Sequence, residues 1–378
     1  MNFDDNEEQQ LLAASIARFI ERDYDFATRR KIIASPDGYS GQIWQTLADL
    51  GLIGLPLPSE FGGFGGGAVD AMSAMEAIGE ALIVEPFLAT VGLGAQFVAR
   101  AGTLAQKQAI LPAVIEGKKK LAFAQTETGA RYNLAHVATR ARRTAAGDFV
   151  LDGEKRVVVH GPFADLLVVS ARIHGEVESP EGIRLFLVNA RTPGVTQRGY
   201  RTLDALRAAD IVLTNVCVPA DALLGDESER LALIEEVIDF ATALICAEAV
   251  GALRYANDAT LEYLKTRKQF GVPIGTFQAL QHRMVDMVIE YEQAKSMASL
   301  ACASVDDETN PAARKRVVSA AKVRISDACR QVSQEAIQLH GGMGMSDEMK
   351  ISHTFRRLTV IAQQFGDADH HLERFARG

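Results

Sequence analysis

LKTRKQFGVPIGTFQALQHRMVDM, Leu264 to Met287, is the stretch on which the fold turns. Beyond its Gly and Pro punctuation, Met284, Met287, Tyr291, Ala294, Ala298 and Ala301 step by alternating threes and fours, the period of one helix face. The same step runs through Val318, Ala321, Ile325, Ala328, Val332, Ala336 and Leu339. Stripes so regular and so rich in Ala predict long helices packed closely in a bundle, with these residues as core.

Outward from that bundle the period changes. Between Leu121 and about Gly225 it falls to two, with β-branched runs at Leu166–Ser170, Leu185–Val188 and Ile211–Val218. Phe149–Leu151 and Val157–Val159 flank Asp152-Gly153, a pair that predicts a hairpin. Before residue 120 the helical period holds again: Leu12, Ile16, Phe19 and Ile20 form one stripe and Ala71 to Ile83 another. PLPSEFGGFGGG, Pro56 to Gly67, interrupts them as a loop. The expected fold is mainly α with a β insertion. It comprises an N-terminal helical domain (1–120), a middle antiparallel β-barrel-like domain (121–225) and a C-terminal four-helix bundle (226–378).

With 40 Lys and Arg against 48 Asp and Glu, the formal net charge is −8. That balance argues against a nucleic-acid binder, which needs a basic face. MNFDDNEEQQ has no apolar h-region, and no apolar run is long enough to span a bilayer, so a cytoplasmic protein with no membrane partner is expected. Cys217, Cys246, Cys302 and Cys329 are widely spaced and read as small buried hydrophobes, not as a disulfide framework or metal site. His370 and His371 read as surface or cofactor-contact residues, because no third ligand lies at metal-binding spacing, and no metal is expected.

Four motifs resemble the acyl-CoA dehydrogenase family and occur in that family's order. They are LGLIGLPLPSEFGG (Leu50 to Gly63), GTLAQKQAILPAVIEGKKKLAFAQTE (Gly102 to Glu127), the Leu264–Met287 stretch, and IQLHGGMGM (Ile337 to Met345). The resemblance runs from about Leu11 to the C-terminus and implies FAD as cofactor. Arg267 offers a planar fork of donors suited to a pyrophosphate. The resemblance assigns its counterpart to the FAD of a neighbouring subunit, with Phe270 and Gln278 nearby. Gly341 and Gly342 follow Gln338 where a helix should end; glycine permits φ > 0 there and leaves no side chain between backbone and cofactor. Thr126 is the expected contact to the flavin's pyrimidine edge.

The implied reaction is α,β-desaturation of an acyl-CoA thioester, with α-proton abstraction by a carboxylate and β-hydride transfer to flavin N5. It places the chain among enzymes of fatty or related acyl-CoA catabolism. Most relatives take the proton with Glu in a Tyr-Glu-Gly run, for which this chain has QQFGDADHHLERFA, Gln363 to Ala376. Counting back from Arg374 gives Asp367; a gap-shifted alignment gives Gly366. A minority site for the base, on the first bundle helix, falls on Ala241. Asp367 is therefore the candidate base. Asp is shorter than Glu by one methylene, roughly 1.5 Å, and a misplacement near 1 Å costs on the order of a hundredfold. Asp369 is read as the N-cap of a helix starting at His370, and Glu248 as half of a buried ion pair.

Further departures lie at Gly129-Ala130-Arg131-Tyr132-Asn133, where relatives have Gly-Ser-Asp, and at Val157 and Val159, where relatives place Trp and Thr. RTLDALRAADIVLTNVCVPADALLG, from Arg201, resembles the branch that includes the small subunit of pimeloyl-CoA dehydrogenase. The implied partners are an acyl-CoA and an electron-transfer flavoprotein, in a homodimer or homotetramer. The alternative is a non-catalytic or partly catalytic subunit of a heteromeric acyl-CoA dehydrogenase.

Overall fold

A computed structural model describes residues 7–307 and 309–377. The opening Met1 to Asn6, part of the stretch read above as carrying no signal peptide, lies outside the described residues. Helices α1 (Glu7–Asp23), α2 (Phe26–Ala34), α3 (Gly41–Asp49), α4 (Ala68–Ala81), α5 (Ala95–Ala101) and α6 (Leu104–Ile115) come first. Strands β1 (Leu121–Ala124), β2 (Arg140–Arg143), β3 (Phe149–Val159), β4 (Leu166–Arg172), β5 (Ile183–Asn189), β6 (Val195–Arg201) and β7 (Arg207–Val218) come next. After α7 (Leu231–Thr266) a short hairpin, β8 (Lys268–Gln269) and β9 (Val272–Pro273), precedes α8 (Gln278–Asp307), α9 (Pro311–His340), α10 (Lys350–Gln363) and α11 (Ala368–Arg377). The architecture is thus a helical N-terminal region, a β half-barrel sheet and a C-terminal helical bundle. Among the described residues, no helix is long and apolar enough to cross a membrane.

Two compact units emerge. One gathers the described residues of Met1–Ala34, Ala68–Ile83 and Thr242–Gly378; the other gathers Ser35–Gly67 and Val84–Ala241. In the first, the two stripes behave as core with one correction: Tyr291, read as part of the α8 stripe, is only half-buried. Met284, Met287, Ala294, Ala298 and Ala301 of α8 are buried, as are Val318, Ala321, Ile325, Ala328, Val332, Ala336 and Leu339 of α9. The start of α9 is set by Asn310, whose side chain accepts from the Ala312 and Ala313 amides, with Pro311 at the first helical position. Glu248 on α7 pairs with Arg357 on α10 through two bonds of 2.5 and 2.8 Å, the buried ion pair anticipated for it.

Helices α4 and α7 approach to backbone contact. A Cβ built on Gly79 would stand 1.8 Å from the Glu248 carbonyl oxygen, and one on Gly251 would stand 1.7 Å from that of Glu76. Each helix therefore supplies the glycine that receives the other's backbone, and neither position tolerates a methyl without the helices parting.

In the second unit the sheet runs β1-β4-β2-β3-β7-β6, with β5 also on β4. Two features correct the sequence reading. The sheet is mostly antiparallel, but β1 and β2 each pair with β4 in parallel. Asp152-Gly153 is no hairpin: β3 continues through it, with a register shift against β7 between Leu151 and Gly153. The pair forms a bulge instead. The Asp152 carboxylate accepts from the Asn215 amide at 2.7 Å, and a Cβ on Gly153 would come 2.4 Å from Thr139 Oγ1. Glycine inside a strand here marks close approach of another segment. Of the four cysteines, Cys246, Cys302 and Cys329 are buried as expected, whereas Cys217 is exposed.

Gly79→Ala and Gly251→Ala are each expected to cost about 1–3 kcal/mol by overpacking the α4–α7 crossing. Gly41→Ala, whose added methyl meets nothing within 4 Å, serves as the neutral control. Circular-dichroism melts of the three variants check this ranking.

Candidate functional site

Six of the sequence-selected residues gather at one end of the bundle. Tyr263, in the last turn of α7, stacks on His340, the last residue of α9, with ring centroids 4.5 Å apart. The stack holds together the two segments that leave these helices. After α7 comes Arg267, then the hairpin whose turn residues Phe270 and Gly271 both have positive φ, 53° and 83°. Two left-handed residues are what a type I′ hairpin requires, and the turn projects Phe270 with 92% of its surface exposed. Sequence reading found the residues here but missed the hairpin, because a two-residue strand is too short to show a period. Gln278 is the first residue of α8.

After α9, Gly341 takes φ 60° and ψ −144°, a backbone conformation reserved for glycine. Gln338, Gly341 and Gly342 are exposed, and a Cβ on either glycine would meet nothing within 4 Å. The side chains of Arg267, Gln278 and Gln338 make no hydrogen bond or ion pair among the described residues. The cluster therefore presents a guanidinium, two amides, bare backbone and an aromatic ring to whatever lies beyond it. That donor set suits a phosphate-bearing ligand.

Asp367 lies elsewhere in the same unit, in the turn between α10 and α11. Lys322 of α9 bonds to that turn, and from Lys322 to His340 the helix advances roughly 27 Å at about 1.5 Å per residue. The turn is unusual: Phe365 and Gly366 have φ of 62° and 130°. Helix α11 starts at Ala368, two residues before the expected start, and Asp367 Oδ1 accepts from the His370 amide at 2.9 Å. This corrects the reading of Asp369: the N-cap is Asp367, and Asp369 sits in the first turn. Two groups support the turn from the bundle core. The Lys322 ammonium donates to Gly366 O at 2.8 Å and to Ala362 O at 3.2 Å. His371, read from the sequence as a surface or cofactor-contact residue, is instead buried against α9, with Nε2 3.2 Å from Phe365 O. A carbonyl only accepts, so Nε2 carries the proton and Nδ1 accepts from Ser319 Oγ. Burial, with the nearby cations, drives the His371 pKa down to about 3 and keeps the ring neutral. Sequence reading passed over Lys322, although its four-residue spacing from Val318 puts a charge in a core stripe.

Thr126 belongs to the sheet unit, just beyond β1, exposed and with its hydroxyl unbonded among the described residues. Its neighbours fix it. Glu127 is buried and accepts from the Ala138 and Thr139 amides, Thr139 Oγ1 and the Lys155 ammonium, the last at 2.6 Å. Lys155 also donates to Ser170 Oγ. Burial pushes the Lys155 pKa down to about 8 against the pull of Glu127. For Glu127, burial works upward, but Lys155 and the other donors prevail and leave its carboxyl below the usual range.

On the other side, Thr126 O accepts from the Arg156 amide at 2.7 Å. The next residue, Val157, has φ 51° and is 52% exposed. A β-branched residue at positive φ costs of order 1–3 kcal/mol. Asp210 holds it there, accepting from the Val157 amide, Arg156, Arg198 and Tyr200. Burial would raise the Asp210 carboxyl, yet these donors bring it down to about 2.

Removing either partner of the Lys155–Glu127 pair strands a charge or polar group in the sheet interior, at about 3–5 kcal/mol. Lys155→Met and Glu127→Gln are each expected to lower the melting temperature sharply, and the double variant to cost less than their sum. Fully additive losses would show that the pair is not the coupling.

Comparison with known proteins places the chain. Residues 6–118, 122–216 and 231–378 match the N-terminal, middle and C-terminal domains of acyl-CoA dehydrogenase. The chain is similar to probable acyl-CoA dehydrogenase YngJ of Bacillus subtilis, 30% identical over 99% of this chain and 98% of that protein. It also resembles the caffeyl-CoA reductase-Etf complex subunit CarC of Acetobacterium woodii, 28% identical over 94% and 93%. Among solved structures, the FAD complex of PigA superposes with a TM-score of 0.91 at 25% identity, covering 100% of this chain and 98% of that one. The chain belongs to the acyl-CoA dehydrogenase family of FAD-dependent oxidoreductases.

Proposed function

We propose that the protein oxidises an acyl-CoA thioester between its α and β carbons, with Asp367 as the base. The observation that carries this reading is the α10–α11 turn. It holds a carboxylate at a helix cap directly after two residues of positive φ, whose carbonyls are held from the core by His371 and Lys322. Strain of that kind collects at working sites.

The residues present fit FAD. Arg267 would hold a phosphate through its planar fork, Gln278 and Gln338 would donate beside it, and the bare backbone at Gly341 and Gly342 admits close approach. Thr126 would offer its hydroxyl to the pyrimidine edge. When bound, FAD supplies the acceptor for the hydride that leaves the β carbon. Asp367 takes the α-proton, and the turn keeps its carboxylate from wandering. Because the Arg267 cluster and Asp367 stand well apart along α9, one cofactor shared between two protomers accounts for both, which supports a homodimer or homotetramer. The functional segments are 1–120, 121–225 and 226–378. An electron-transfer flavoprotein as electron acceptor, and a cytoplasmic location, belong to the same reading; the name of the Acetobacterium relative supports the first.

A second reading has its own observation. Asp367 already serves as an N-cap, the role Asp fills in many helices without chemistry. The chain would then be a subunit that completes a heteromeric dehydrogenase.

Anaerobic mixing with a panel of acyl-CoAs is expected to bleach the flavin of the wild-type protein. Asp367→Asn should slow that step by about 10²–10⁴-fold, the usual worth of a positioned base. Equal rates would remove Asp367 as base, and bleaching only after a second dehydrogenase subunit is added would favour the other reading. Arg267→Met should weaken FAD retention about tenfold to a hundredfold, the worth of a charged hydrogen bond, as read by fluorescence titration.

A further inference from the structure

Lys322 is fully buried, on the core face of α9, with no carboxylate within 4 Å among the described residues. Its acceptors are Ser326 Oγ at 3.3 Å, Ala362 O at 3.2 Å and Gly366 O at 2.8 Å. Burial pulls the ammonium pKa down, while Cys246, Cys329 and then Asp367 pull it back. A charge in that position is costly to the bundle, and an apolar residue would fill the stripe more cheaply. Its effect is on the turn.

Ala362 O belongs to the last turn of α10, and Gly366 O lies just before the cap of α11. One ammonium thus ties the end of one helix to the start of the next. The trans peptide is planar, so drawing Gly366 O inward turns the Asp367 amide outward and sets where the Asp367 side chain begins. His371 draws Phe365 O the same way, which fixes two successive peptides.

We propose that Lys322 is a positioning residue. By holding Gly366 O and Ala362 O from inside the bundle, it fixes the left-handed Phe365–Gly366 turn and so the reach of the Asp367 carboxylate toward the substrate α-carbon. This rests on the reading of Asp367 as base. Lys322 touches no substrate; it acts through the turn. A lysine that merely closed α10 would govern stability alone. A positioning lysine governs the rate once substrate is bound.

The test uses the full-length holoenzyme and Lys322→Met. Amide exchange across Gln364–Ala368, measured by mass spectrometry, is expected to speed up at least about tenfold. The rate of flavin reduction by saturating acyl-CoA should fall about tenfold to a hundredfold, with KM little changed. Lys322→Arg, which keeps the cation and its donors, should recover most of both. In an Asp367→Asn background Lys322→Met should cost no further rate.

Unchanged exchange in Lys322→Met overturns the proposal, and this readout needs no turnover. So does accelerated exchange with an unchanged reduction rate. If Asp367→Asn reduces as fast as wild type while Lys322→Met loosens the turn, the base assignment fails and the hold on the turn stands. If Lys322→Met does not fold, Lys322→Gln, a neutral donor too short to reach Gly366 O, gives the same exchange readout.

Discussion

A positive charge sealed from water must collect acceptors, and this chain repeatedly collects them from backbone carbonyls. Lys322 takes Ala362 and Gly366. Arg172, fully buried at the end of β4, takes five: Ala135, Val137, Val177, Ser179 and Glu181. Arg29 takes Leu82 O and faces His353 Nδ1. A carbonyl has no freedom separate from its peptide, so each cation that binds one fixes a turn. An ion pair between side chains would satisfy the charge and leave the backbone alone. The cost is a desolvated charge, and the return is a defined loop.

The same logic orders the sheet unit. Residues 128–139 form no strand until Arg140, yet they are held at both ends. Glu127 receives the Ala138 and Thr139 amides, Gln125 Nε2 reaches Leu134 O, and Arg172 gathers the carbonyls of Ala135 and Val137. Thr126 stands at the root of this loop, between Glu127 on one side and the strained Arg156–Val157 bulge on the other. Its exposed hydroxyl thus rests on a rigid base. Preorganisation of this kind is what an oriented hydrogen bond to a bound ring would need.

What was legible in the sequence was whatever burial makes periodic. The α8 and α9 stripes, the strand runs and the Glu248 pair arise from a face that must hide from water, and each lies where its pattern puts it. What escaped depends on single backbone torsions or on contacts distant in sequence. Asp152-Gly153 has hairpin chemistry, but Thr139 crowding Gly153 and Asn215 capping Asp152 make it a bulge. Sequence reading puts the cap at Asp369, and only the turn geometry shows that Asp367 fills that place instead; Phe365 likewise carries no sign of its positive φ. Cys217 alternates outward on β7, and its spacing from other cysteines says nothing about that.

The Asp367 turn shows how a shorter acid could still be placed. Relatives with Glu have an extra methylene, and with it an extra rotatable bond, to aim the carboxylate. With Asp the backbone must do the aiming. A cap bond to the His370 amide engages one carboxylate oxygen, and a carboxylate offers about four lone-pair sites, so capping does not by itself use up the group as an acceptor. Capping fixes the side-chain torsion, and Lys322 and His371 fix the two peptides before it. Between them they leave little freedom from α10 to the carboxylate. In the role proposed for it, Asp367 gains more from such restraint than a longer acid would, because it has fewer torsions with which to correct a misplaced backbone.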